Sequence, residues 1–290
     1  MLMQKIKFTL LLTLMSASAL FFTACNAEQN GEKAEEKTEE KAEEPKPEPK
    51  KTVAQMSLQE ASEDMLTVLK NGGDVSKHVQ KFAAVNPDTL AQIINTDAKK
   101  KAFYINLYNG YIQKILTENP ELYKDRDKFF GEDRFMLAGK EISFDKLEHG
   151  IIRSSTMKLS GGFLSELFVG DYEKSLRTEK VDPRIHFAVN CGAKDCPPIH
   201  ILSPENIDAE LDSMTKNYLN KWAEYQADKK TVLTSSLMSW FRGDWGGKDG
   251  VKEFLQKYGI VPADVKTDDI EVKFKDYDWT LKTGIYADEV

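Results

Sequence analysis

Three observations in the amino-acid sequence predict an α+β domain that is helix-rich and built around a small, mainly antiparallel sheet. Apolar residues recur at helical spacing from Ser57 to Thr117 and again after Ser203. A few dispersed stretches alternate apolar and polar residues instead, which is the period of a strand. No period of 20–50 residues repeats, so a solenoid is excluded. Helical ends around scattered strands describe α+β rather than a regular alternation of strands and helices.

The chain opens with Lys5 and Lys7, an apolar run from Phe8 to Phe22, and then Thr23-Ala24-Cys25. A basic start, a short apolar core and small residues before a cleavage point describe a secretory leader. The run is too short for a spanning helix. Cys25 after small residues resembles the bacterial lipoprotein signal, in which that cysteine is acylated and becomes the mature N-terminus. Phe22 stands where that signal more often has Leu, and an ordinary leader with an incidental cysteine is the alternative. Residues 1–24 are therefore expected to be a signal peptide, with the protein exported and lipid-anchored in the bacterial cell envelope.

Residues 25–52 follow as a charged spacer. Three Lys-x-Glu-Glu units run from Lys33 to Glu44, before Pro45, Pro47 and Pro49. Their four-residue period sets like charges at i and i+4, which disfavours a helix. Low hydrophobicity and alternating Pro-Lys favour a solvated tether. Fully stretched, it would hold the domain on the order of 80 Å from its anchor. Residues 53–290 are long enough for a globular domain. The net charge of −7 and the lack of an aromatic-interleaved basic patch argue against nucleic acid as a partner. The membrane, through Cys25, is the expected partner.

Within the domain, Ser57 is placed to cap a helix whose Leu58, Ala61, Met65, Leu66 and Leu69 form one stripe. Val75, Val79 and Phe82 continue on a short second helix, and Asn86-Pro87 starts another. Asp97 opens a long helix with Ala102, Ile105, Tyr108 and Ile112 on a buried face. A hairpin is expected around Ala138-Gly139-Lys140, and Ser143 begins a helix carrying Leu147, Ile151 and Ile152. Ile185, Phe187 and Val189 alternate with His186, Ala188 and Asn190, a strand pattern. Ser203-Pro204-Glu205 caps a long amphipathic helix reaching Trp222. Thr231–Thr234 is a short strand, 249–258 a helix, and Ile270, Val272 and Phe274 a final strand.

Most of the versatile chemistry sits between Asp182 and Ile199, which holds one of four histidines and two of three cysteines. Four segments carry a family resemblance: 102–109 (Ala-Phe-Tyr-Ile-Asn-Leu-Tyr-Asn), 147–153 (Leu-Glu-His-Gly-Ile-Ile-Arg), the run 182–198, and 277–281 (Tyr-Asp-Trp-Thr-Leu). In this order and spacing they resemble domain-of-unknown-function family 547, over roughly residues 100–282. Tyr104, Asp195 and Lys282 depart from its commonest residues. The resemblance implies bacterial lipoprotein company and no established activity.

Four chemistries compete for the site. Cys191 as a nucleophile with His186 as base is one. On a strand, however, His186 and Asn190 face one way and Cys191 the other. With Cys25 acylated, two thiols remain in an oxidising compartment, and a Cys191–Cys196 disulfide bracing the turn beside His186 is the stronger reading. Zinc held by His186, Cys191, Cys196 and His200 or His149 has no standard spacing, and no metal or other cofactor is expected.

The order of a helix with Asn106 and Asn109, a segment with His186, and a last strand ending at Asp276 or Asp278 is similar to papain- and transglutaminase-like folds. That distant similarity implies a relative binding a peptide or glycan, with asparagine where the nucleophile would be. The alternative is that both asparagines are buried and bonded to neighbouring backbone. The expected pocket is lined by Asn106, Asn109, Glu148, His149, His186 and Asn190, for an unidentified small-molecule, peptide or glycan ligand. The competing expectation is a hydrolase or acyl transferase in which His186 is the base and Cys191 or a water attacks. The aromatic stretch Trp240–Gly247 is read as a loop over that pocket or a surface turn wedged into the core.

Overall fold

Side-chain caps set the start of several N-terminal helices. In the computed structural model, which describes residues 51–287, Ser57 Oγ accepts the Glu60 N–H at 3.1 Å. The Glu60 carboxylate accepts the Ser57 N–H at 2.7 Å, closing a capping box ahead of α1 (Leu58–Lys70). Helix α2 (Ser76–Ala84) follows, and Asn86 caps α3 (Pro87–Ile93). Thr96 caps α4 (Asp97–Glu118) through the Lys99 N–H. The expected leader, Cys25 and most of the tether lie outside the described residues.

Helix α4 is the axis of the domain. Every residue from Ala102 to Gln113 is buried, so it is enclosed on all sides rather than amphipathic. Helix α1 packs along it, and Tyr108 and Tyr111 reach an aromatic cluster with Phe129, Phe135 and Phe144. That cluster comes from α5 (Arg126–Gly131), from the hairpin β1 (Phe135–Leu137) and β2 (Lys140–Ile142), and from Phe144 just after it. The hairpin turns at Ala138 and Gly139 with φ of 49° and 75°. Two consecutive left-handed residues are what a two-residue hairpin turn requires.

Beyond a π-helical turn, Lys146–Ile152, lie the short α6 (Asp171–Leu176) and a 3-10 helix, Pro183–Phe187. Helix α7 (Ile207–Trp222) leads into β3 (Glu224–Gln226) and β4 (Thr231–Ser235). Helices α8 (Leu237–Trp240) and α9 (Gly247–Lys257) then precede β5 (Glu271–Lys275). The sheet order is β3-β4-β5, antiparallel for the first pair and parallel for the second. A second apolar core, with Phe187, Tyr218, Trp245, Phe254 and Val232, joins α7, α9 and this sheet. The result is a helix-rich α+β domain, as the sequence predicts. Among the described residues no helix is long and apolar enough to cross a membrane.

Two local expectations are overturned. Residues 185–190 form no strand. Pro183 fixes the first helical φ, Asp182 Oδ1 accepts the Arg184 N–H at 3.1 Å, and the chain coils into the 3-10 helix. Every residue from 185 to 190 is buried, so alternation within the run cannot distinguish faces. Burial pushes the Asp182 carboxyl up, but hydrogen bonds from Arg184 and Lys101 outweigh it and hold the pKa down at about 2. The other correction concerns α7, whose first turn has no side-chain cap. Ser203 instead donates its N–H and hydroxyl to the Glu210 carboxylate.

The asparagines of α4 tie loops to the axis. Asn106 donates to Leu202 O at 2.8 Å and accepts the Leu202 N–H at 3.0 Å. Asn109 donates to Ala188 O at 2.9 Å and accepts the Asn190 N–H at 2.7 Å. Asn109→Ala would strand a buried carbonyl and a buried N–H, and is expected to cost about 3 kcal/mol in urea unfolding. A loss below a few tenths would show that these bonds are not holding the loop.

Candidate functional site

The widened turn at Glu148 and His149 directs Arg153 into the interior. Its hydrogen bonds skip one residue more than an α-helix allows: Arg153 N–H to Glu148 O and Ser155 N–H to Gly150 O, both 2.8 Å. The turn ends in Ser154 and Ser155 with φ of 51° and 61°, a strained conformation for side chains with a Cβ. Three bonds hold it: Ser154 Oγ to Thr178 O at 2.9 Å, Arg177 Nη1 to Ser155 Oγ at 2.9 Å, and Ser155 Oγ to the Glu173 carboxylate.

Arg153 is wholly buried, with 0% of its surface exposed. Its Nε and Nη2 both donate at 2.8 Å to the carboxylate of Asp244, in the 3-10 turn Arg242–Trp245. This is the bidentate geometry that makes an arginine–carboxylate pair strong. Asp244 Oδ2 also accepts from His186 Nε2 at 2.7 Å, and Arg153 Nη1 donates to His149 Nδ1 at 2.8 Å. A guanidinium has no acceptor, so His149 Nδ1 must accept and its ring proton sits on Nε2. That nitrogen lies 3.6 Å from Asp145.

Phe241 covers the chain from one side. Its ring stacks on His186 at 4.1 Å and lies 4.6 Å from the Arg153 guanidinium carbon. Gly162 covers the other end, with φ of 89°. A Cβ there would fall 2.3 Å from Asp244 Oδ1, and one on Gly243 would fall 2.2 Å from the Gly162 carbonyl carbon. Burial lowers the His186 pKa and outweighs the raising effect of Asp244. Burial raises that of Asp244, but bonds from His186 and Arg153 win and leave it below the usual carboxylate range. His186 Nδ1 has no hydrogen-bond partner among the described residues.

A pocket of about 110 Å³ lies above this chain. Its floor includes Tyr108, Glu148, His149, His186 and Cys191, and its outer wall includes Asp145, Lys158, Trp240, Tyr277 and Trp279. The structure thus brings together Glu148, His149, His186 and Cys191, with His186 on a 3-10 helix and Cys191 on the pocket side rather than turned away from it. Asn106, Asn109 and Asn190 do not line it. Asn190 donates to Pro197 O at 2.8 Å and accepts the Gly192 N–H at 3.0 Å, which shapes the cysteine loop.

Arg153, Asp244, Tyr277 and Trp279 were not singled out as site residues by the sequence. The available signals were a lone arginine after His149, and a lone aspartate in a glycine- and aromatic-rich stretch.

Cys191 and Cys196 are free thiols here, not the bonded pair the sequence reading favoured. The C-terminal segment clamps their loop instead. Lys194 N–H donates to Thr280 O at 2.9 Å, Lys282 N–H to Gly192 O at 2.8 Å, and Asp278 N–H to Asp195 Oδ2 at 2.8 Å. Cys196 Sγ accepts from the Cys191 N–H at 3.1 Å and the Tyr277 hydroxyl at 3.3 Å. Burial raises the Cys196 pKa, but the Cys191 thiol and these donors outweigh it and lower it. The hydrogen bond with Cys196, then burial, pushes the Cys191 thiol up. The thiol facing the pocket is therefore the one that resists ionisation. Among the described residues no group of three or more His, Cys, Asp or Glu side chains is arranged to hold a metal.

Fold and site together define a helix-rich α+β domain whose pocket rests on an internal ion-paired chain. Over residues 94–219 the chain matches the model of the family described as "Protein of unknown function, DUF547". That span takes in α4, the π-helical turn, the His186 segment and the cysteine loop, and ends before Asp244 and the 277–281 motif. No curated protein and no solved structure matches the chain.

Two outcomes follow. Gly162→Ala is expected to destabilise the domain by about 2 kcal/mol in thermal or urea unfolding, because a Cβ and a left-handed φ conflict at the ion pair. A neutral substitution would show that the Gly162 segment does not seal it. For His186, the unfolded imidazole titrates near 6.5 and the folded one lower. The unfolded chain therefore takes up the proton first. This contribution to stability is full above pH 6.5 and is lost as pH falls below it. Tm should decline from pH 7.5 to 5.5, and His186→Gln, which retains a donor for Asp244, should flatten the slope. An unchanged slope would remove His186 from the account.

Proposed function

We propose that this chain is an exported, lipid-anchored ligand-binding module of the bacterial cell envelope, anchored at Cys25, and that its site is the pocket above the His149–Arg153–Asp244–His186 chain. The observation that carries the binding reading is the division of labour in that pocket. The His149–Arg153–Asp244–His186 chain beneath it is locked into mutual pairing, whereas its lining offers stacked aromatic faces beside carboxylates. Trp240 stacks on Trp279 at 5.3 Å, Tyr277 packs against both, and Asp145 and Glu148 line the same space.

A pocket of about 110 Å³ suits one ring or a short side chain, near the scale of the ~150 Å³ cavities that bind benzene. Aromatic faces with adjacent carboxylate acceptors favour a ring that is apolar on its face and carries hydroxyl or ammonium donors at its edge. A sugar unit of a glycan meets that description best. A peptide side chain is the other member of the class. The leader sequence and the polar tether support the anchor.

A second reading has one observation behind it. His186 carries Asp244 on one ring nitrogen and leaves the other without a partner, the arrangement of an oriented base. In that reading the protein is a hydrolase or acyl transferase of papain/transglutaminase-like type, with His186 as base and Cys191 or a water as nucleophile. The raised Cys191 thiol and the lowered His186 weigh against it.

Intrinsic tryptophan fluorescence, titrated with a panel of soluble oligosaccharides and peptides, separates the two. The binding reading expects a saturable shift that Trp279→Ala and Glu148→Gln each weaken about tenfold, equivalent to roughly 1.4 kcal/mol. It also expects slow native alkylation of Cys191 by iodoacetamide near neutral pH. Rapid alkylation, or turnover of an acyl substrate abolished by Cys191→Ala, would sink it in favour of the enzyme.

A further inference from the structure

We propose that the hairpin over residues 157–168 is a membrane-insertion finger that docks the domain on a lipid bilayer through its exposed apolar side chains. Leu159, Leu167 and Phe168 are 94%, 88% and 96% exposed, and Phe163 and Leu164 are more than half exposed. Five large apolar side chains within ten residues form a patch that a water-facing surface seldom carries without a partner.

Part of the backbone of the finger is paired within itself or to its flank. Met157 N–H donates to Leu164 O at 2.8 Å, Phe163 N–H to Ser160 O at 3.3 Å, and Glu166 N–H to Ser155 O at 2.8 Å. Ser160 Oγ accepts the Leu164 N–H at 3.0 Å. These donors do not have to be stripped of water unpaired when the apolar side chains enter lipid. Its turn is held against the domain by Gly243 N–H to Gly161 O at 2.7 Å and its first arm by Lys158 bonded to Asp145 at 2.9 Å, which leaves the apolar side chains facing outward.

The choice of a bilayer follows from the chain that precedes the domain. It begins with Lys5, Lys7 and the apolar run Phe8–Phe22, has a lipoprotein-like Cys25, and enters Lys51 through a polar spacer. The proposal rests on that leader reading and not on the ligand reading of the pocket. A net charge of −7 gives no general attraction to anionic headgroups, so the contact is apolar insertion and insensitive to salt. Lys158 belongs to both finger and pocket wall, so insertion brings the pocket mouth to the membrane surface.

Full-length chain on phosphatidylcholine vesicles with brominated acyl chains tests this. Phe168→Trp is compared with the unsubstituted chain, and with Ile201→Trp at an exposed position beside Leu202, which bonds to Asn106 and Gln59. The expected result is that roughly half of the emission added by Phe168→Trp is quenched, at low and at raised salt, whereas Ile201→Trp is not affected. Quenching of Phe168→Trp no greater than that of Ile201→Trp would overturn the proposal, even if the chain is held on vesicles by its N-terminus. A concentration-dependent dimer in sedimentation, dispersed by Leu167→Ser, would assign the finger to a second copy and overturn it equally.

Discussion

The ion pair of Arg153 with Asp244 is the contact on which the rest of the site depends. Removing two charges from water costs more than their attraction returns unless every remaining donor and acceptor is met. Here the requirement is met through neighbours: His149 takes one guanidinium N–H, His186 donates to the carboxylate, and Phe241 covers the cation. Each neighbour is fixed because it satisfies the pair. The strained Ser154–Ser155 turn and the close backbone approach of Gly162 and Gly243 follow from the same demand, since both help enclose Arg153 and Asp244.

This arrangement joins the two cores of the domain. Arg153 extends from the side packed around α4, and Asp244 from the side packed around α7, α9 and the sheet. The pocket takes its lining from both, with Tyr108, Val189 and Trp279 from the first and Leu237, Phe241 and Tyr277 from the second. A pocket built on a network of this kind is positioned precisely only if the network has one arrangement. The buried imidazole and the unionised Cys191 thiol then serve as a rigid floor, and the exposed chemistry belongs to Asp145, Glu148 and the aromatic faces.

How much of this was legible in the sequence depended on range. Ser57, Asn86 and the segment beginning at Asp97 announced their helices because capping is local, and Ala138-Gly139 announced its hairpin for the same reason. His186 was misplaced on a strand because a fully buried run loses the contrast between faces that pattern reading needs. Asn106 and Asn109 were expected in the pocket, whereas the alternative of buried groups bonded to backbone is what the structure has, and their partners in 188–202 were not visible from the helix alone. The cysteines drew the role of brace, which the 278–286 segment performs through backbone bonds. Arg153 and Asp244 lie 91 residues apart, and neither carries a local sign that it will meet the other. Glu148 and His149 were legible as candidates because they flank a glycine in a short charged break between apolar residues.

A double-mutant cycle on Arg153 and Asp244 tests the central claim most directly, with stability read by urea unfolding of Arg153→Met, Asp244→Leu and the combined variant. If the pair is the organising contact, each single change leaves a buried charge unpaired and costs about 3–5 kcal/mol, while the double change costs far less than their sum. Losses that simply add would mean that the two side chains are stabilised independently, and would contradict the account.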